Sequence, residues 1–110
     1  LLSKPLFQNE NSQLPIFFNF VKKMKTSVEI SYYSLSDNYL VHIENFLKAL
    51  RSYEQIKIIT NGMSTQIFGE YDIVMNILTK EIKNAFSNPD SLFVMKIANA
   101  CLDSYTPPID

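Results

Sequence analysis

Gln55-Ile56-Lys57-Ile58-Ile59-Thr60-Asn61-Gly62-Met63-Ser64-Thr65-Gln66-Ile67-Phe68-Gly69 reads as two strands joined by a tight turn. Asn-Gly is the strongest short-range hairpin signal, because both residues accept a positive φ at low cost. The flanks are helical in period. Upstream, within Tyr39–Tyr53, Leu40, Ile43, Phe46, Leu47 and Leu50 recur at i, i+3 or i+4. Downstream, Val74, Ile77, Leu78, Ile82 and Phe86 form a stripe over Ile73–Phe86, with Asp72 as the expected N-cap and Asn88-Pro89-Asp90 as the stop.

Two further strands complete the pattern. Val28-Glu29-Ile30-Ser31-Tyr32-Tyr33-Ser34-Leu35 alternates, with Val28, Ile30 and Tyr32 on one side and Glu29, Ser31 and Tyr33 on the other. Leu92-Phe93-Val94-Met95-Lys96-Ile97-Ala98 is the last strand. The order strand, helix, strand, strand, helix, strand predicts an α+β, ferredoxin-like βαββαβ sandwich: a four-stranded antiparallel sheet with both helices on one face. Apolar residues occupy both parities of the strands, which suits a sheet covered on both faces. Homo-oligomerisation through the open face, as a homodimer at least, is therefore expected.

Residues 1–24 differ in composition and read as an N-terminal extension to a domain at 25–110. Phe17, Phe18 and Phe20 are costly to expose, about 1.5–3 kcal/mol each, and are expected to pack on the domain or a neighbour. Their apolar run precedes Lys22, Lys23 and Lys25, the reverse of the charge order in a secretory leader. No run approaches the ~20 apolar residues of a membrane span. A net charge of −1 gives no long-range attraction to nucleic acid, and Cys101, the single cysteine, excludes an internal disulfide. A cytoplasmic protein without nucleic-acid or membrane partners is expected.

Catalytic chemistry finds little support. His42 is the sole histidine and lies off the centre of its helical stripe; with Cys101 it makes no set of soft metal ligands. Neither glycine belongs to a phosphate loop. Binding is better served: Tyr32 and Tyr33, the hairpin residues Asn61, Ser64 and Thr65, and Asn99 after the last strand offer stacking surface and hydrogen-bonding groups for a flat, nitrogen-rich ring. The same residues also suit an exposed turn and interface packing. Lys96 is either a surface lysine or the partner of Glu29.

The segments Val28–Leu35, Thr60–Gly69 and Lys96-Ile97-Ala98-Asn99-Ala100-Cys101 resemble the thiamine-binding, YkoF-like family over roughly residues 26–103. The resemblance implies a non-catalytic unit that binds thiamine or its hydroxymethylpyrimidine part as ligand, with no cofactor. It also implies assembly of single units into dimers or tetramers. By position it places Tyr32, Asn61, Met63, Ser64, Thr65 and Asn99 at the ligand: Tyr32 for stacking, the amides and hydroxyls for the aminopyrimidine edge. The extension at 1–24 departs from the family unit. An interaction or regulatory module of the same shape, without a ligand, is the alternative.

Overall fold

A computed structural model describes residues 23–104. The expected packing of Phe17, Phe18 and Phe20 lies outside the described residues. The elements are β1 Lys25–Ser34, α1 Tyr39–Arg51, β2 Lys57–Thr60, β3 Thr65–Glu70, α2 Tyr71–Ala85 and β4 Ser91–Ala98. All neighbouring strands are antiparallel and the sheet order is β2-β3-β1-β4. This is the ferredoxin-like arrangement expected from the order of elements.

Register assigns the faces. Val28 pairs with Ile67 and with Ile97, and Ile30 pairs with Thr65 and Met95, so these positions share the helix-covered face. There Val28, Ile30 and Ile67 meet Phe46 and Leu50 of α1 and Val74, Ile77 and Leu78 of α2 in one core. Burial of each large side chain stabilises the fold by about 1.5–3 kcal/mol.

The apolar stripes shift at their ends. Leu40 and Phe86 are exposed, whereas Glu81 and Ala85 are buried. Glu81 tolerates burial because Tyr53 donates its hydroxyl hydrogen to Oε2 at 2.6 Å and Asn84 Nδ2 lies 3.4 Å from Oε1. The second helix also begins earlier than its stripe: Glu70 is the N-cap, without a side-chain cap bond, and Asp72 lies inside the first turn. Tyr71 N–H instead donates to the Met24 carbonyl at 2.8 Å, tying the helix start to the entry of β1.

The opposite face carries Ser27, Glu29, Ser31 and Tyr33 of β1 beside Leu92, Val94 and Lys96 of β4. Tyr33, Leu92 and Val94 are exposed there. The chain after β4 crosses one end of this face. Ser27 Oγ donates to the Ala100 carbonyl at 2.6 Å and accepts the Leu102 N–H at 2.8 Å. Phe68, paired with Ser27 in register, is buried at this end.

Candidate functional site

The hairpin closes with Thr60 paired to Thr65, and a four-residue loop lies between them. Its geometry differs from the expected Asn-Gly turn. Gly62 does not adopt positive φ. Asn61 organises the loop instead: its Oδ1 accepts the N–H groups of Met63 at 2.8 Å and Ser64 at 3.0 Å, while Asn61 N–H donates to the Ser64 carbonyl at 3.0 Å. A side chain that mimics a backbone acceptor removes the need for a left-handed residue.

Between this loop, the second half of β1 and α1 lies a cleft of about 180 Å³. Tyr32, Asn61, Met63, Ser64 and Thr65 line it together with Ile43 and Phe46. Five of the six residues singled out in the sequence therefore converge. Asn99 does not join them. It follows Ala98, which pairs with Ser27, whereas Tyr32 pairs with Phe93. The five-residue offset from Ser27 to Tyr32 is about 17 Å at ~3.3 Å per residue.

The side chains in the cleft are already partly engaged. Tyr32 stacks on Phe93 with centroids 4.4 Å apart and planes inclined by 22°, and meets Phe46 edge-on at 5.4 Å. The Tyr32 hydroxyl lies 2.9 Å from Ser91 Oγ, which itself donates to the Asn88 carbonyl at 3.0 Å; Tyr32 is thus the donor of the pair. Thr65 Oγ1 is 3.3 Å from Thr60 Oγ1. Ser64 donates to Glu29 Oε2 at 2.9 Å, on the open face. Met63 is almost fully exposed at the loop tip.

Alternation in the sequence carried the signal for these placements. Tyr32 shares parity with Val28 and Ile30 and so belongs to the helix-covered face. Ser64 shares parity with Gln66 and Phe68 and turns to the other side. What periodicity did not reveal is the aromatic set of Phe46 and Phe93 around Tyr32, because those residues lie on α1 and β4. Glu29 and Lys96 do pair, opposite each other in register, with Oε1 and Nζ 3.7 Å apart.

His42 lies on α1 and is absent from the cleft wall. Cys101 is exposed, and its thiol donates to Asp103 Oδ1 at 3.1 Å. That bond, with Lys57 beside the other oxygen at 3.4 Å, holds the Asp103 carboxyl below the ordinary carboxylate range. Among the described residues, no group of three or more His, Cys, Asp or Glu side chains could hold a metal ion. No helix among them is long and apolar enough to cross a membrane.

Solved structures share this architecture. A Streptococcus pneumoniae protein matches with a TM-score of 0.66 and 22% identity over 74% of this chain and 93% of its own. A Thermotoga maritima protein described as a candidate thiamine biosynthesis/salvage protein gives a TM-score of 0.60 and 14% identity, covering 66% of this chain and 81% of that one. A hypothetical protein of Methanocaldococcus jannascii gives 0.60 and 19%, covering 74% and 87%. The likeness establishes the fold. No protein-family model and no curated protein matches the chain.

Proposed function

We propose that the protein binds a small heteroaromatic ligand without transforming it, and that the ligand is thiamine or its hydroxymethylpyrimidine part, seated in the hairpin cleft. The observation that carries this reading is the convergence of Tyr32, Asn61, Met63, Ser64 and Thr65 on one concave surface. The fold shared with the Thermotoga maritima protein supports the ligand class.

Size narrows the choice. The cleft, about 180 Å³, is smaller than the ~300–1,000 Å³ usual for drug-sized ligands, and so suits one ring better than two joined rings. The pyrimidine enters and the remainder of thiamine stays outside. Asn61 Oδ1 is taken by the loop, which leaves its amide hydrogens to meet a ring nitrogen. Because Phe93 covers one face of Tyr32, the ligand meets the ring from the loop side. Asn99 belongs to this reading only if the chain after β4 moves toward the loop.

Calorimetry with hydroxymethylpyrimidine, thiamine and thiamine phosphates tests the proposal. Saturable heat with hydroxymethylpyrimidine, weakened in Tyr32→Ala and Asn61→Ala proteins that remain folded, is the expected result. The absence of heat with all of these ligands at millimolar concentration refutes it.

The exposed Tyr33, Leu92 and Val94 favour a second component of function, self-association through the open face as a dimer or tetramer. Those residues lie next to each other across β1 and β4, since Tyr33 pairs with Leu92 and Ser31 with Val94.

A further inference from the structure

A second cavity, of about 600 Å³, lies on the open face at the end crossed by the chain after β4. Its volume falls within the ~300–1,000 Å³ typical of small-molecule sites. Glu29, Gln66, Phe68, Lys96, Leu102 and Asp103 line it. Glu29 is flanked in register by Gln66 on one side and Lys96 on the other, which makes a polar row across three strands. Phe68 lies two residues beyond Gln66 on the same face of β3 and supplies an apolar floor. Leu102 and Asp103 make the wall, held by the two hydrogen bonds to Ser27 and by Lys57 on Asp103.

Charge is distributed unevenly between inside and rim. Two ion pairs border the cavity, and in each the lysine is the more exposed member: the side chain of Lys96 is 83% exposed against 41% for Glu29, and that of Lys57 is 57% against 27% for Asp103. In both pairs the carboxylate is the less exposed partner and the ammonium group the better hydrated one. Glu29 is also fixed in direction, because Ser64 donates to its Oε2 at 2.9 Å. Its other oxygen is 3.7 Å from Lys96 Nζ, longer than a hydrogen bond, so a better-aligned cation displaces the lysine easily.

We propose that this cavity binds a small planar organic cation, with its charged edge on Glu29 and Asp103 and its apolar body on Phe68 and Leu102. An amidinium-type group meets a carboxylate through two parallel N–H···O bonds, and Gln66 offers a further acceptor beside it. The site lies on the other face of the sheet from the core, and Glu29 links it to the hairpin cleft through Ser64. Asp103 takes no part in that cleft, so its role is tested separately from what the cleft binds.

Titration of the full ¹⁵N-labelled chain with benzamidine, and in parallel with its neutral isostere benzamide, tests the proposal by chemical shift. Benzamidine is expected to give saturable shifts at the amides of Glu29, Gln66, Phe68 and Asp103, with benzamide at least ~10-fold weaker because charge-assisted bonds are lost. Glu29→Gln and Asp103→Asn should each weaken benzamidine several-fold. Asp103→Asn alone decides the matter if Glu29→Gln perturbs the hairpin through Ser64. Equal binding of the two probes, no saturation at millimolar concentration, unaltered binding in Asp103→Asn, or shifts confined to Tyr32 and Thr60–Thr65 overturns it. The hydroxymethylpyrimidine experiment is unaffected by any of these outcomes.

Discussion

The ring of Tyr32 lies on the ring of Phe93, 4.4 Å between centroids, so one strand's aromatic residue is held by its neighbour's before any ligand arrives. Phe46 closes the set from α1, with its centroid 5.4 Å from that of Tyr32 and 5.0 Å from that of Phe93. Such pairs contribute about 0.5–1.5 kcal/mol beyond their area burial. Tyr32 is therefore a structural residue as well as a wall of the cleft. Tyr32→Ala is expected to destabilise the fold by about 2–4 kcal/mol, measured by urea denaturation. Tyr32→Phe keeps the stack and loses only the bond to Ser91, about 1 kcal/mol.

The hairpin loop depends on Asn61 and not on Gly62. Asn61→Ala removes the acceptor of two N–H groups and should cost about 1 kcal/mol. Gly62→Ala should be neutral or stabilising by up to ~1 kcal/mol, since its φ is not positive and an added Cβ meets no atom within 4 Å. Gly69→Ala should destabilise by about 1–3 kcal/mol, because the new Cβ would stand 3.1 Å from Val74 Cγ2 and 3.3 Å from Ile56 Cγ2. Thermal melts of the three variants separate these effects.

Tyr53 should ionise above the ordinary tyrosine range in an absorbance titration. Its hydrogen bond to Glu81, followed by desolvation and the nearby negative charge, raises its pKa. The folded value thus lies above the unfolded one. The stabilisation is fully present below about pH 10, the ordinary tyrosine value, and is lost as pH rises through the raised folded value. Tyr53→Phe removes this dependence and leaves the buried Glu81 without its principal donor, a loss of about 1–3 kcal/mol.

Asp103 gives the opposite sign. Its folded pKa is lowered, first by the Cys101 thiol and then by Lys57, so the contribution is present above the ordinary carboxylate value and fades as pH falls through the lowered one. The protection of the Leu102 amide, relative to its intrinsic exchange rate at each pH, should fall in that acidic range. Ser27→Ala should release the same segment at neutral pH, because Ser27 holds both Ala100 and Leu102.

Self-association through the open face predicts a sedimentation mass of at least twice the 12.7 kDa of the chain at micromolar concentration. Val94→Asp should restore the single-chain mass, by placing an unpaired charge in the contact. A wild-type mass of one chain refutes the assembly.

Local pattern was enough for the fold. Alternation in β1 and around the hairpin, the i, i+3, i+4 stripes of α1 and α2, and the element order specify the sandwich; with apolar residues on both parities, the register came from the structure. The pairing of Glu29 with Lys96 was one of two readings the sequence left open; a period of two allows it, and the register places the two opposite each other. The convergence of Tyr32 with the hairpin residues was legible in outline, because β1 runs beside β3.

Tertiary structure decided the rest. Tyr32 is committed to Phe93 and Phe46, Asn99 lies at the far end of the sheet, and Ser64, although it lines the cleft, gives its hydroxyl hydrogen to Glu29. The cavity walled by Leu102 and Asp103 also exists only because Ser27 captures the chain after β4. Periodicity is a one-dimensional signal and assigns a residue to a face. Which residues meet on that face, and which hydrogen bonds they have left to offer, is fixed by long-range contacts between segments that no local pattern connects.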